Sequence, residues 1–171
     1  MGTMPNAEGC CIDKNAYEML TRRMVLYHKI ISIPVGIIKR NLFGTFMGLE
    51  ETDVYRYLES PGDESRKQEY INYCKIARDD NPDRSIETYN SLIAQITEEG
   101  YDINKGAIVV DQFNCVLDGQ HRACIIKYFF GDDYIVSVLK LYYLYLTPKN
   151  MIENIKYELL HGKTFTHKRP I

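Results

Sequence analysis

Three features of the sequence together predict a single α+β domain. The chain has 171 residues, a length that suits one domain with room for a small appended part. Hydrophobic residues make up 45% of it and charged residues 26%, as is ordinary for a globular protein. Short apolar segments bounded by turn residues occur among longer segments with helical periodicity. We therefore expect a small sheet of short strands flanked by helices.

The N-terminal part of the chain predicts a disordered segment, then a helix, then a buried strand. Residues 1–12 are small and polar, so we expect them to be disordered. Asp13 can cap a helix that runs from about Lys14 to His28. The apolar run Ile30–Ile33 predicts a buried strand, which Pro34 ends because proline lacks the N–H group that a strand ladder needs.

The next part of the chain predicts a helical insertion at about residues 41–80. Glycines and aromatic residues lie in the segment Asn41–Glu51, which is typical of a mobile loop. A short helix follows and ends at Pro61-Gly62, and a polar helix is expected over Glu64–Arg78. The segment Ile86–Glu99 has the clearest amphipathic pattern of the chain. Its apolar stripe consists of Ile86, Tyr89, Leu92, Ile93 and Ile96.

The C-terminal half predicts a hairpin, a helix and a long strand. Ala107–Val110 and Cys115–Leu117 are short apolar segments, and the turn residues between them predict that they pair as a hairpin. A helix begins after the next three residues and ends at Gly131. The apolar alternation over Ile135–Leu146 predicts the long strand. Residues 13–171 are accordingly expected to form one domain.

Composition limits the partners and the compartment that we expect. The formal net charge of -2 provides no overall positive field that would attract DNA, RNA or an anionic membrane. The five cysteines have no spacing typical of a metal site, and their odd number argues against a disulfide framework. No segment has the length and apolar character of a membrane span, and the N-terminus has no secretory signal pattern. We therefore expect a cytoplasmic protein that holds no metal ion by itself.

The five consecutive residues Asp118–Arg122, with the sequence DGQHR, are the most informative stretch for function. They stand where a predicted strand passes into a predicted helix, and the free N–H groups and dipole of a helix start favour an anion. Gly119 allows a ligand to approach the backbone closely. His121 and Arg122 add donors, and the planar guanidinium matches phosphate oxygens. Asp118 can take a proton from a hydroxyl group or help to hold Mg²⁺.

These residues predict a site for a phosphate-bearing ligand with an acid beside it. The alternative is purely structural. Asp118 can simply cap the helix, Gly119 can simply turn the chain, and the two basic residues can form a solvated first turn.

The order of these segments resembles the ParB/sulfiredoxin-like superfamily. That family has a helix ending in Glu-x-Gly, a strand, a hairpin turn, Asp-Gly-x-His-Arg or Gly-Glu-Arg-Arg at the start of a helix, and a further strand. The corresponding stretches here are SIETYNSLIAQITEEG, AIVVDQFNCVLDGQHRA and YIVSVLKL. Upstream, ISIPVGIIKRN looks like the family's first strand and the short helix after it. The resemblance implies a small mixed sheet flanked by helices, with the site at the helix that follows Gly119.

Different branches of this superfamily imply different activities. Sulfiredoxins repair a sulfinic acid with ATP and carry a cysteine directly before the His-Arg pair, where this chain has Gln120. ParB proteins bind CTP and DNA and carry a helix-turn-helix region after this domain, for which the residues from Pro148 onward are too few. ADP- or ATP-dependent small-molecule kinases, notably free-serine kinases, carry an Asp-Gly-His-His-Arg-like motif, which Asp118–Arg122 resembles most.

The resemblance to the kinases implies a set of roles. ATP or ADP, or CTP, would bind with its phosphates bridged by Mg²⁺ at Gly119, Gln120, His121 and Arg122. Apart from the resemblance, the basic residues Lys39 and Arg40 would either add phosphate contacts or form a solvated basic turn. Asp118 and His121 would be catalytic. An acid from the loop after the first strand, Glu50 or Glu51, would help to activate the hydroxyl group of a small acceptor such as an amino acid or a sugar. Two alternatives stay open: a non-catalytic switch that binds CTP or ATP, and a ParB-like DNA-associated module.

Overall fold

The computed structural model describes residues 25–42, 45–78 and 82–143 of the chain. These residues form a mixed α+β structure, as predicted, with a four-stranded sheet, a two-stranded hairpin and four α-helices. Residues 1–12 and most of the helix predicted over Lys14–His28 lie outside the described residues. None of the described helices is long and apolar enough to cross a bilayer.

The main sheet combines antiparallel and parallel pairs. Its strands are β1 (Val25–Pro34), β4 (Val109–Asp111), β5 (Val116–Asp118) and β6 (Ile135–Tyr143), in the spatial order β1-β6-β4-β5. Strand β6 pairs antiparallel with β1 and parallel with β4, and β5 pairs antiparallel with β4. The predicted hairpin is therefore present, and β5 is an edge strand of the sheet. The predicted long strand is present up to Tyr143, and its last three predicted residues, 144–146, lie outside the described residues.

The start of β1 corrects the prediction that the chain is helical up to His28. Residues 25–28 instead belong to the strand and pair with β6. The rings of Tyr27 and Tyr142 stack across this pair with their centroids 4.3 Å apart. Pairing with a distant segment decides the conformation here, and apolar spacing over a few residues does not reveal such a partner. Pro34 is the last residue of the strand, as predicted.

The segment predicted as a mobile loop, Asn41–Glu51, is instead mostly ordered as a β-hairpin. Strands β2 (Lys39–Leu42) and β3 (Thr45–Gly48) pair antiparallel, and a 3-10 turn follows at Leu49–Glu51. The backbone N–H of Lys39 donates to the carbonyl of Asn114 at 3.0 Å, which joins the hairpin to the start of β5. The insertion at about residues 41–80 is therefore only partly helical.

The described residues contain four α-helices, three between β3 and β4 and one between β5 and β6. They are α1 (Asp53–Glu59), α2 (Glu64–Arg78), α3 (Pro82–Glu99) and α4 (Gln120–Phe130). The bounds of α2 are those predicted. Helix α3 begins four residues before the predicted start because Pro82 fits the first helical turn, where its missing N–H group costs nothing. The predicted stripe of α3 is confirmed, since Tyr89 and Ile96 are buried and its other members are partly buried against the core.

The larger core lies between the helices and one face of the sheet. Alternate residues of a strand point to opposite faces, and the neighbours Val109 and Val110 accordingly belong to two separate apolar clusters. The larger cluster contains sheet residues and residues of all four helices, among them Ile33, Val110, Val138, Val54, Tyr70, Tyr89 and Ile125. Helix α4 is central to this core, because Ala123 and the three residues after it are all fully buried. These buried side chains anchor α4 in the core.

Candidate functional site

The predicted strand–turn–helix junction is present at Asp118–Gly119–Gln120. Strand β5 ends at Asp118, and α4 begins at Gln120. Gly119 between them has a left-handed conformation, with φ 78° and ψ 22°. Its carbonyl accepts the first helical hydrogen bond, from the N–H of Ala123 at 3.0 Å, and its own N–H donates to Oδ1 of Asp118 at 2.8 Å. The acid is therefore folded back onto the turn that starts the helix.

Gly119 is required here for two separate reasons. Its positive φ is one that residues with a side chain rarely adopt. In addition, a Cβ atom at this position would lie 2.7 Å from the carbonyl oxygen of Ala107 and 2.9 Å from Cα of Ile108. The backbone of the turn is therefore in direct contact with the segment that leads into β4.

The guanidinium group of Arg122 lies beside the same segment. It packs against Gly106 so closely that a Cβ atom there would collide with it. Gly106 directly precedes Ala107, which contacts Gly119. The structure thus brings the positive charge of Arg122 and the bare backbone of Gly119 to neighbouring positions along one short stretch of chain.

His121 lies inside the protein and not on its surface. Its side chain is 5% exposed, and its Nε2 atom lies 3.2 Å from the hydroxyl oxygen of Tyr70 in α2. Its ring also meets the ring of Tyr89 in α3 edge to face, with centroids 4.8 Å apart and an interplanar angle of 87°. Helices α2 and α3 therefore cover the residue that the sequence analysis assigns to phosphate contact.

Gln120 is also buried under these helices. Its Oε1 atom is 3.5 Å from the hydroxyl oxygen of Tyr73, a long contact for a hydrogen bond. The hydroxyl group of Tyr70 is 3.4 Å from the carbonyl oxygen of Ser85. Among the residues that the structure describes, Oγ of Ser85 is a buried side-chain atom with no hydrogen-bond partner. These loosely spaced polar groups lie at the junction of α2, α3 and α4.

None of the surrounding tyrosines nor Ser85 is predicted from the sequence to be part of the site. The available signal is the spacing of Tyr70 and Tyr73, three residues apart, which places both on one face of α2. Burial raises the pKa of Tyr89 far above its usual range, so its hydroxyl group stays protonated.

The structure places Glu50 away from the helix start, in an ion pair with Lys127. The distance between the carboxylate of Glu50 and Nζ of Lys127 is 2.8 Å, and Lys127 also pairs with Asp132 at 3.0 Å. The hydrogen bond from Lys127 lowers the pKa of Glu50. Burial lowers the pKa of Lys127, but its hydrogen bonds to the two carboxylates outweigh that effect and raise the pKa overall. Lys127 is about two helical turns after the start of α4.

Glu51 has a different contact again. Its Oε1 atom accepts a hydrogen bond from the backbone N–H of Gly48 at 2.8 Å, which closes the turn after β3. Neither predicted acid of this loop is thus brought beside Asp118 by the contacts that the structure describes.

The two basic residues of β2 take separate positions. The backbone of Lys39 is joined to the start of β5, whereas Gly119 follows the end of that strand. The positive charge of Arg40 acts on the thiol group of Cys124 in α4. Burial raises the pKa of that thiol to about 12 all the same, so Cys124 is not a reactive thiolate.

Comparisons with known proteins add no assignment to this geometry. Neither protein-family models nor curated proteins nor solved structures match the chain. Within the described part of the chain, no group of three or more His, Cys, Asp or Glu side chains is arranged to hold a metal ion. A function must therefore be argued from the chemistry of the helix start and from the order of the elements around it.

Proposed function

We propose that this chain is a nucleotide-dependent phosphotransferase of the ParB/sulfiredoxin-like type that acts on a small hydroxylated acceptor. The observation that carries the proposal is the turn at Gly119, which starts α4 and lies against Ala107, directly after the Gly106 that the guanidinium group of Arg122 contacts. Free N–H groups, the positive end of a helix dipole and a planar cation together favour phosphate.

The order of the elements supports the same family. Helix α3 ends before Gly100, and a strand, a hairpin turn, a strand, helix α4 and strand β6 follow in turn. This is the order that the resemblance requires. In this order of elements the Asp-Gly-x-His-Arg residues follow the end of β5, which is an edge strand of the sheet.

In this proposal the chain positions the nucleotide and neutralises charge. The N–H groups of the first turn of α4 and the side chain of Arg122 bind phosphate oxygens, and these contacts strengthen as negative charge develops during transfer. Asp118 accepts the proton of the acceptor hydroxyl group. Mg²⁺ usually binds through one or two carboxylates together with substrate phosphates, so Asp118 suits it without a cage of protein ligands. When bound, Mg²⁺ neutralises charge on the transferred phosphoryl group.

A non-catalytic nucleotide-binding switch is the second candidate function. It is favoured by the contacts of the two predicted acids, since Glu50 pairs with Lys127 and Glu51 caps the turn at Gly48. Among the three carboxylates that the sequence predicts to be catalytic, Asp118 alone lies at the start of α4. Its Oδ1 atom also has a structural role, because it accepts the N–H of Gly119.

³¹P NMR separates these functions. The protein is mixed with Mg²⁺ and ATP, ADP or CTP, together with a pool of amino acids and sugars, and is compared with Asp118→Asn and with the control Arg66→Gln, which changes an exposed residue paired with Glu69. We expect a new phosphoester signal with the wild type and with the control. In Asp118→Asn we expect turnover to fall by orders of magnitude while the nucleotide still binds.

The other outcomes are equally informative. Shifted or broadened nucleotide signals without conversion would favour the switch. Signals that stay unchanged for every nucleotide would refute both functions and would leave DGQHR as the start of a helix.

A further inference from the structure

Three buried residues from three helices meet beneath the proposed phosphate site. Tyr70 in α2, Ser85 in α3 and His121 in α4 are 1%, 5% and 5% exposed. The hydroxyl oxygen of Tyr70 is 3.2 Å from Nε2 of His121 and 3.4 Å from the carbonyl oxygen of Ser85. A single hydroxyl group therefore connects the histidine of the DGQHR residues to the neighbouring helix.

One placement of the protons satisfies both of these contacts. A carbonyl oxygen can only accept, so the contact with Ser85 requires the hydroxyl proton of Tyr70 to point toward it. The oxygen of Tyr70 then acts as an acceptor toward His121, which requires a proton on Nε2. If Tyr70 donated to Nε2 instead, its contact with the carbonyl of Ser85 would be lost. The arrangement that satisfies both contacts has the order Nε2–H of His121, hydroxyl of Tyr70, carbonyl of Ser85.

Two neighbouring aromatic rings pack against the ring of Tyr70. It stacks on Tyr57 with centroids 4.9 Å apart and on Tyr89 with centroids 5.2 Å apart. Stacked aromatic rings resist reorientation, so the hydroxyl group of Tyr70 has a set position relative to α4. A polar contact that packing holds in this way can orient the residue that it meets.

We propose that Tyr70 is a positioning residue of the phosphate site, which keeps His121 in one orientation with the proton on Nε2. The proposal rests on the proposed function, since it gives Tyr70 a role in nucleotide binding. His121 lies between Gly119 and Arg122 in the first turn of α4. In this proposal a rotation of its ring shifts the first turn of α4 and so acts on the phosphate site indirectly, since Tyr70 is only 1% exposed.

A matched pair of variants tests this role. Tyr70→Phe removes the hydroxyl group that meets His121. Tyr89→Phe removes a hydroxyl group from the same ring stack, but that group donates to the carbonyl of Val54 at 3.3 Å and does not contact Nε2. Both variants keep the aromatic ring and lose one buried hydroxyl group, so their effects on stability should be similar, which thermal unfolding checks.

Two quantities are measured for each protein. The first is the ¹⁵N shifts of the ring nitrogens of His121, assigned with His121→Gln, which report which nitrogen carries the proton. The second is the Kd for Mg²⁺ with ATP, ADP or CTP. We expect the Nε2–H form in the wild type and in Tyr89→Phe. In Tyr70→Phe we expect altered ring shifts and a Kd raised about fivefold to tenfold, the size of one lost hydrogen bond.

The results distinguish a failure of this proposal from a failure of the proposed function. If Tyr70→Phe matches Tyr89→Phe in ring shifts and in Kd, Tyr70 does not position His121 and the proposal is overturned. If the wild type binds none of the nucleotides, the proposed function is refuted and so is the role of Tyr70 in it. The ring shifts then still decide whether Tyr70 sets the protonation of His121.

Discussion

Replacement of Gly119 by alanine is the sharpest test of how the helix start is built. The new Cβ atom meets two obstacles. First, the backbone at position 119 has φ 78° and ψ 22°, a left-handed conformation that costs a residue with a side chain about 1–2 kcal/mol. The Cβ atom would also lie 2.7 Å and 2.9 Å from backbone atoms of Ala107 and Ile108, which cannot rotate away as a flexible side chain can. Overpacking of this kind costs a further 1–3 kcal/mol, roughly.

The expected total is a loss of about 2–5 kcal/mol in the free energy of unfolding. For a chain of this size, that corresponds to a fall in Tm of roughly 5–15 °C. Urea denaturation, monitored by far-UV circular dichroism, measures this change directly. The comparison requires that the slope of the free energy of unfolding against urea concentration is the same as in the wild type.

Two other glycines provide matched controls for this experiment. Gly100 has φ 81°, but a Cβ atom there would meet nothing within 4 Å, so Gly100→Ala should show the conformational cost alone. Gly62 has open space and no such φ, so Gly62→Ala should be neutral or slightly stabilising. If Gly119→Ala is no more destabilising than Gly100→Ala, the close approach of the turn to Ala107 is wrong, and with it the geometry of the site.

Further predictions concern the groups around the site. Ser85→Ala removes a buried hydroxyl group with no described partner, so we expect the free energy of unfolding to stay equal or to rise by about 1 kcal/mol in urea denaturation, and a clear loss would reveal a partner. Lys127 lowers the pKa of Glu50, so their interaction stabilises the fold above the ordinary pKa of a glutamate and is lost as the pH falls through the lowered value. Because the side chain of Glu50 is 50% exposed, Glu50→Gln should cost only about 0.5 kcal/mol at pH 7 and nothing at pH 2, as unfolding curves at both pH values would show. Cys124 is fully buried with its pKa raised to about 12, so mass spectrometry should find it unmodified by iodoacetamide at pH 8 until the protein unfolds, whereas rapid native labelling would contradict its burial.

Local signals explain which elements could be predicted from the sequence. Helix α2 has its predicted bounds because Pro61-Gly62 separates it from α1 and its residues favour a helix. The passage from β5 into α4 was likewise predictable, since a short apolar segment, a glycine and a helical pattern follow each other directly. The sequence pattern predicts a strand β1 that is too short, and it does not predict the hairpin of β2 and β3. In both cases strand pairing decides the structure, and the sequence of one strand does not show where its partner lies.

The same distinction applies to the site. The DGQHR residues and the left-handed turn at Gly119 follow from neighbouring residues, so they could be identified in advance. The burial of His121 could not, because it depends on tyrosines from α2 and α3 that are 51 and 32 residues away in sequence. The ion pair of Glu50 with Lys127 also joins two distant elements, and it moves the predicted acid away from the helix start.

Nucleotide binding by Arg122 tests the central claim most directly. Isothermal titration calorimetry with Mg²⁺ and ATP, ADP or CTP compares the wild type with Arg122→Gln, and with Arg66→Gln as a control for an exposed arginine. We predict that the wild type binds at least one of these nucleotides. We also predict that Arg122→Gln weakens binding roughly tenfold or more through loss of a charge-assisted contact, while the control binds as the wild type does. Absence of binding to every nucleotide, or equal affinity in Arg122→Gln, would contradict the assignment of a phosphate site to the start of α4.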